Sequence, residues 1–194
     1  SRATPVAVNL SANESAFSVS AGYHHTCAIL DNASLKCWGR NDYGQLGDAT
    51  YNDRNNPTSI DLGSYRSAVS VATGRFHTCA ILDNTSLKCW GLNDRGQLGD
   101  GSTSTTNTPV NVDLGEGRHA VAISAGEYHT CAILDNGSTK CWGYGSSGQL
   151  GRGSSVSSSS PVYVALPSGR TAVAISTAPG GAHNCAILDN GSTV

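Results

Sequence analysis

Seven cysteines, six histidines and a recurring set of aspartates and tryptophans are the side chains of this sequence that could do chemistry. Six cysteines fall in pairs ten residues apart: Cys27 with Cys37, Cys79 with Cys89, and Cys131 with Cys141. Paired cysteines serve thiol redox chemistry, zinc binding or disulfide formation. Redox pairs want a Cys-x-x-Cys spacing, which this is not. Zinc needs four converging ligands, and two cysteines per segment on separate segments offer no such cluster. Disulfides fit, because a short turn centred on Asn32 would set Cys27 opposite Cys37 in a hairpin, within the Cα window of about 4.4–6.8 Å that a disulfide spans. Each closed ring would stabilise the fold by about 2.8 kcal/mol on the chain-entropy model. Disulfides imply an oxidising compartment, so the expected location is extracellular or at the cell surface. Cys185 is left over, and a partner ten residues on would stand one position past Val194, so it is expected to pair beyond the chain end.

His25, His77, His129 and His183 recur two residues before a cysteine, and Asp31, Asp83, Asp135 and Asp189 recur four after one. A metal or catalytic site needs unlike groups converging within hydrogen-bond reach, whereas equivalent residues of separate segments are expected to be held apart. The histidines are therefore expected to bond to backbone where each hairpin begins. The aspartates are expected to shape turns rather than share a proton or a calcium ion. No catalytic residue, metal site or cofactor is expected. Trp38, Trp90 and Trp142 each follow a second cysteine and are expected to pack between structural units, with stacking on a sugar as the alternative role. Asn32, Asn84, Asn136 and Asn190 fit the Asn-x-Ser/Thr sequon for N-glycosylation, as do Asn9 and Asn13. Asn-Gly-Ser also simply makes a good turn, so both readings stand.

Such residues repeat because the chain repeats. HTCAILDNASLKCWG from His25, HTCAILDNTSLKCWG from His77, HTCAILDNGSTKCWG from His129 and HNCAILDNGSTV from His183 recur at intervals of 52, 52 and 54 residues. The third unit shows four strand-like pieces. Ala120 to Ala125 alternates Val121 and Ile123 with small residues, the period-2 pattern of a strand with one buried face, and His129 to Leu134 leads through the turn Asp135 to Ser138 into Thr139 to Trp142. After a loop, Pro161 to Leu166 forms a fourth strand whose opening proline suits a sheet edge. No stretch has helical periodicity. Four strands per unit of about 50 residues describe an all-β fold, the blades of a β-propeller. The units run over 15–66, 67–118 and 119–170, with 1–14 ending a preceding repeat and 171–194 starting a fourth. Thr4-Pro5-Val6-Ala7-Val8 matches Thr108-Pro109-Val110-Asn111-Val112, the last strand of a unit.

The combination Ala-Gly-x-x-His-Thr-Cys, Trp-Gly and Gly-Gln-Leu-Gly, the last at Gly44–Gly47, Gly96–Gly99 and Gly148–Gly151, resembles the repeat of the regulator of chromosome condensation family. It is close to the cysteine-containing version of secreted or surface proteins. The resemblance implies a seven-bladed ring of about 364 residues, of which this chain supplies about 3.7 units. The remaining blades are expected from the same or another chain, because an open arc exposes the apolar faces of its end blades.

A net charge of −2 and scattered cations exclude a nucleic-acid binder driven by phosphate neutralisation. No apolar run nears the roughly 20 residues of a membrane-spanning helix, and the N-terminus lacks a secretory-signal pattern, as in a soluble chain already processed or cut from something larger. The expected function is non-catalytic: an extracellular binding or assembly module that holds a protein partner by its loops. Alternatives are an enzyme inhibitor acting through a loop face and a lectin-like carbohydrate binder. A guanine-nucleotide exchange factor for a nuclear GTPase ranks last. Specific contacts are expected where the units differ, with Tyr43, Tyr51, Arg54, Arg95 and Tyr144 as candidate anchors.

Overall fold

Each Asp-Asn-x-Ser segment closes a hairpin by the same local bonds. Asn32 Oδ1 accepts the Ser34 backbone N–H at 3.0 Å and its hydroxyl at 2.7 Å, and Asn84, Asn136 and Asn190 do the same with Ser86, Ser138 and Ser192. The residue between them is left-handed, at φ 61° for Ala33, 67° for Thr85, 77° for Gly137 and 80° for Gly191. This turn sets Cys27 opposite Cys37, Cys79 opposite Cys89 and Cys131 opposite Cys141. All three pairs are disulfide-bonded with Cα atoms 4.1 Å apart, just under the expected window, as suits a close cross-strand pair.

The computed structural model describes residues 4–115 and 117–194, so the first three residues of the preceding-repeat segment 1–14 and residue 116 of the second unit lie outside the described residues. The described chain has fourteen strands and no helix. The first blade holds β1 (Ala16–Ala21), β2 (His25–Leu30), β3 (Leu35–Gly39) and β4 (Arg54–Ser59). The second holds β5 (Ala68–Thr73), β6 (His77–Leu82), β7 (Leu87–Gly91) and β8 (Thr106–Val112). The third holds β9 (Ala120–Ala125), β10 (His129–Leu134), β11 (Thr139–Gly143) and β12 (Ser158–Tyr163), and β13 (Ala172–Thr177) pairs with β14 (Asn184–Leu188). Every pairing is antiparallel between consecutive strands. The result is three four-stranded blades and half a fourth.

Three details differ from the sequence reading. β12 begins at Ser158, so Pro161 lies inside it, as Pro57 lies inside β4 and Pro109 inside β8. The outermost strand tolerates them because the pairing shifts register there, between Cys141 and Gly143 on the partner strand of β12. Val121 is not a core residue but 57% exposed, because the register also shifts across it, pairing Ala120 with Leu134 and Ala122 with Ile133. The Thr4 to Val8 stretch, expected to be a strand, forms none; no described strand lies beside it to complete a ladder.

The apolar core lies between blades rather than within them. Cys27, Ile29, Leu35, Cys37, Leu46, Ile60 and Leu62 of the first blade pack on Ala68, Ala80, Leu82 and Trp90 of the second, and the same set recurs 52 residues on. β6 and β10 are therefore buried on both faces. Close approach is enforced at Gly47 and Gly99: a Cβ on Gly99 would lie 2.5 Å from the Trp142 indole nitrogen, and φ is already +77°. Gly99→Ala is expected to cost about 2–4 kcal/mol, adding left-handed strain to overpacking. Thr85→Gly, which gives the second turn the residue of the third, is expected to add about 0.5–1 kcal/mol. Chemical denaturation of both variants measures these effects, and a neutral Gly99→Ala would show that the indole does not press on that glycine.

Candidate functional site

The repeated histidines form a latch between blades. His25 Nε2 lies 2.8 Å from Thr78 Oγ1 of the next blade, and His77 Nε2 lies 2.8 Å from Thr130 Oγ1. Each threonine hydroxyl donates to a backbone carbonyl, Gln45 O at 2.7 Å and Gln97 O at 2.9 Å. With its proton committed there, the hydroxyl can only accept from the histidine, which fixes the Nε2–H tautomer. Between the third blade and the half blade the threonine becomes Asn184, whose Oδ1 takes the bond from His129 at 2.6 Å while its Nδ2 donates to Gln149 O at 2.6 Å. The indoles of Trp90 and Trp142 donate to the same Gln45 and Gln97 carbonyls at 3.0 Å. The expectation that the histidines bond to backbone is thus corrected: they reach a side chain of the neighbouring blade, because their position faces the interface. Trp90 and Trp142 are fully buried in that interface, where no sugar could stack on them.

The second ring nitrogens of His25, His77 and His129 are buried without a partner. Protonation there would place an unpaired charge in the core. Burial accordingly pushes the His25 pKa down to about 4 and that of His77 to about 3, with neighbouring histidines adding to both, and burial lowers His129 as well. The aspartates do more than shape turns. Asp31 binds the Ser15 hydroxyl at 2.9 Å, while Asp83, Asp135 and Asp189 pair with Arg66, Arg118 and Arg170, tying each hairpin tip to the segment that precedes the innermost strand. Cys185 is free and exposed in β14, and the position ten residues on lies past Val194.

Unlike side chains converge at the other end of the blades. The turns joining the first two strands of each blade stand side by side, since Tyr23 N–H donates to Gly74 O at 3.4 Å, Arg75 N–H to Gly126 O at 3.2 Å and Glu127 N–H to Gly181 O at 3.2 Å. Any Cβ on Gly74 would come within 2.5 Å of Gly126 O, so this ladder needs the glycine. It lines up Tyr23, Arg75 and Glu127. The Arg75 guanidinium lies 5.0 Å from the Tyr23 ring centre, 5.1 Å from Phe76 and 5.7 Å from Tyr128, and forms an ion pair with Glu127. His24 and Tyr43 extend the ring cluster, Tyr43 lying 5.0 Å from Phe76 and Arg40 5.8 Å above it. Near the propeller axis, then, equivalent positions of neighbouring blades do meet.

Of the five anchors expected from sequence, Tyr43 belongs to this cluster and Arg95 stacks 5.4 Å from Tyr144 beside it. Asp94, Arg95, Glu127, Tyr128 and Tyr144 border a cavity of about 240 Å³ on the same face. Tyr51 stands alone and exposed, while Arg54 is committed within its own loop to Asp48, at 2.6 Å. That loop is held by buried Asn41, which donates to Asp48, Thr50 and Asn52 and accepts from Leu46 N–H; Asn93 repeats the arrangement. Tyr23, Arg75, Phe76, Glu127 and Tyr128 were missed. Their signal was the two varying residues inside Ala-Gly-x-x-His, read as Tyr-His, Arg-Phe and Glu-Tyr in successive units.

The regulator of chromosome condensation (RCC1) repeat profile matches residues 37–81, 89–133 and 136–187, and a second profile of the same repeat matches 18–45, 68–97 and 120–149. The chain belongs to the RCC1 repeat family. It is 32% identical over 174 residues to the ultraviolet-B receptor UVR8 of Arabidopsis thaliana, covering 89% of this chain and 39% of that protein. Human WBSCR16 superposes with a TM-score of 0.83 at 21% identity over 95% of this chain and 48% of its own. Yeast RCC1 (Prp20), solved bound to Kap60, gives 0.75 at 18% identity over 85% and 40%. This RCC1-repeat chain thus spans less than half the length of these proteins.

The latch gives the RCC1-repeat interfaces a pH dependence. An unfolded histidine titrates near 6.5, so below that pH the unfolded chain binds protons that folded His25 and His77 refuse until about pH 4 and 3. Stability is expected to fall by about 2 kcal/mol per histidine between pH 7 and 5, and His77→Gln, which can still donate to Thr130, should remove one share of that loss. Denaturation midpoints across that range test this, and equal slopes for the variant and the parent would show that His77 does not titrate on unfolding.

Proposed function

We propose that this RCC1-repeat propeller is an extracellular binding module that holds a protein partner on the face carrying Arg75, and that it performs no catalysis itself. The arginine–aromatic cluster carries the reading. Arginine and tyrosine are the side chains that dominate binding energy at protein interfaces, and here they are held rigid by mutual stacking before any partner arrives, which lowers the entropy cost of association. Tyr23 is 52% exposed, and the Arg75 side chain 30%, so both remain reachable. Three disulfides support an oxidising location. Yeast RCC1 (Prp20), similar to this chain in fold, has been solved bound to the protein Kap60, which supports a protein-holding reading.

The test is affinity capture with crosslinking from the medium or cell surface of the source organism. Arg75→Ala and Tyr23→Ala are expected to weaken retention of the captured partner at least tenfold, while Arg118→Ala on the opposite face leaves it unchanged. Equal loss from both faces, or none from either, would overturn the assignment.

A further inference from the structure

The strands alternate in direction, so the turns after β1, β5 and β9 and the long loops after β3, β7 and β11 share the face of Arg75, while the hairpin tips and the connections after β4 and β8 share the other. The sequons divide along that line. Asn32, Asn84, Asn136 and Asn190 are hairpin tips. Asn9 and Asn13 precede β1 on the same face, where Glu14 pairs with Lys36 just above the first tip and Ser15 bonds to Asp31. All six are exposed. The Arg75 face has none: its asparagines at 41, 52, 93 and 107 are not followed by the required hydroxyl, and at Asn56-Pro57-Thr58 the intervening proline bars the sequon. Turn-making explains the four tips, and Asn13 too is left-handed at φ 67° in a turn, but it does not explain Asn9.

The tips are also chemically arranged for modification. Each Asn Oδ1 holds two donors from the serine two residues on, and the Nδ2 of each makes no bond among the described residues. Attaching a sugar at Nδ2 leaves both turn bonds intact and buries nothing. The arrangement points to N-glycosylation of these asparagines, clothing the hairpin-tip face and leaving the Arg75 face bare. The donor is a lipid-linked glycosyl phosphate or pyrophosphate. The Nδ2–C1 bond forms as the C1–O bond to phosphate breaks, the electron pair leaves on the phosphate oxygen, the amide gives up one proton, and nothing is oxidised or reduced. This rests on the extracellular reading above, since the donor acts on exported chains.

Glycopeptide mass spectrometry of a non-reduced digest of the protein from its source organism tests both together. Hexose or hexosamine mass on peptides containing Asn32, Asn84 or Asn136, lost one site at a time in Asn→Gln variants, is the expected result. Bare asparagines alongside intact disulfides would overturn the glycosylation and leave the extracellular reading standing. Bare asparagines alongside free thiols at the six paired cysteines would overturn both. Sugar found on an Arg75-face asparagine would overturn the division between faces.

Discussion

The backbone carbonyl of one glutamine per blade is the point on which adjoining blades depend. Gln45 O accepts the Thr78 hydroxyl and the Trp90 indole, and Gln97 O accepts those of Thr130 and Trp142. Both lone pairs of a buried carbonyl are thereby used, and the hydroxyl that fills one of them in turn holds the histidine of its own neighbour. Removing any one donor would leave a buried acceptor or ring nitrogen unpaired, at about 1–3 kcal/mol. The glycine against each indole follows from the same constraint, since the ring can reach that carbonyl only if nothing larger stands beside it. His, Thr, Trp and Gly-Gln-Leu-Gly recur for this reason, and none of them is free to recognise a partner.

Commitment of the recurring residues leaves specificity to positions the latch does not use. The two residues between glycine and histidine in the first turn of each blade are such positions, and the backbone ladder through Gly74 and Gly126 brings them into a row. Arg75 shows the consequence. Its partial burial works against its charge, yet the Glu127 carboxylate, with Tyr128 and Tyr23 nearby, holds its pKa above the ordinary arginine value. A tyrosine, an arginine and a glutamate at one repeat position thus neutralise and stack on one another, forming a single surface out of three separate blades.

Much of the fold was legible because its signals are local. The Asp-Asn-x-Ser turn, the ten-residue cysteine spacing and the 52-residue period each constrain a few consecutive residues, and together they require hairpins stapled at fixed register. Much of what sequence reasoning missed depends on neighbours about one repeat away. Nothing near His25 announces Thr78, although the change from Thr to Asn at position 184 is a trace of the constraint, since either side chain can accept from a histidine and donate to a carbonyl. Val121 was misread because a register shift inverts the face of one residue without altering the alternation around it. The cluster around Arg75 is not legible from the repeat because equivalent residues are far apart at the rim of a propeller but meet near its axis.

The lower connections show how a repeat can substitute one chemistry for another at a fixed place. Lys88 Nζ donates to Leu62 O at 3.0 Å and Lys140 Nζ to Leu114 O at 2.9 Å, each closing the connection from its own blade's predecessor. Lys36 occupies the same position in the first blade but takes the Glu14 carboxylate and the Ser11 hydroxyl, at 2.5 and 3.4 Å. Residues 11–14 therefore lie where the later blades receive the preceding unit, and the lysine that donates to a carbonyl in those blades donates to an acid instead. The ammonium is the constant and its acceptor the variable, the reverse of the upper latch, where the carbonyl is constant and its donors change from threonine to asparagine. Hairpin-tip turns, which depend on neither, are free to carry Ala, Thr or Gly between the same asparagine and serine.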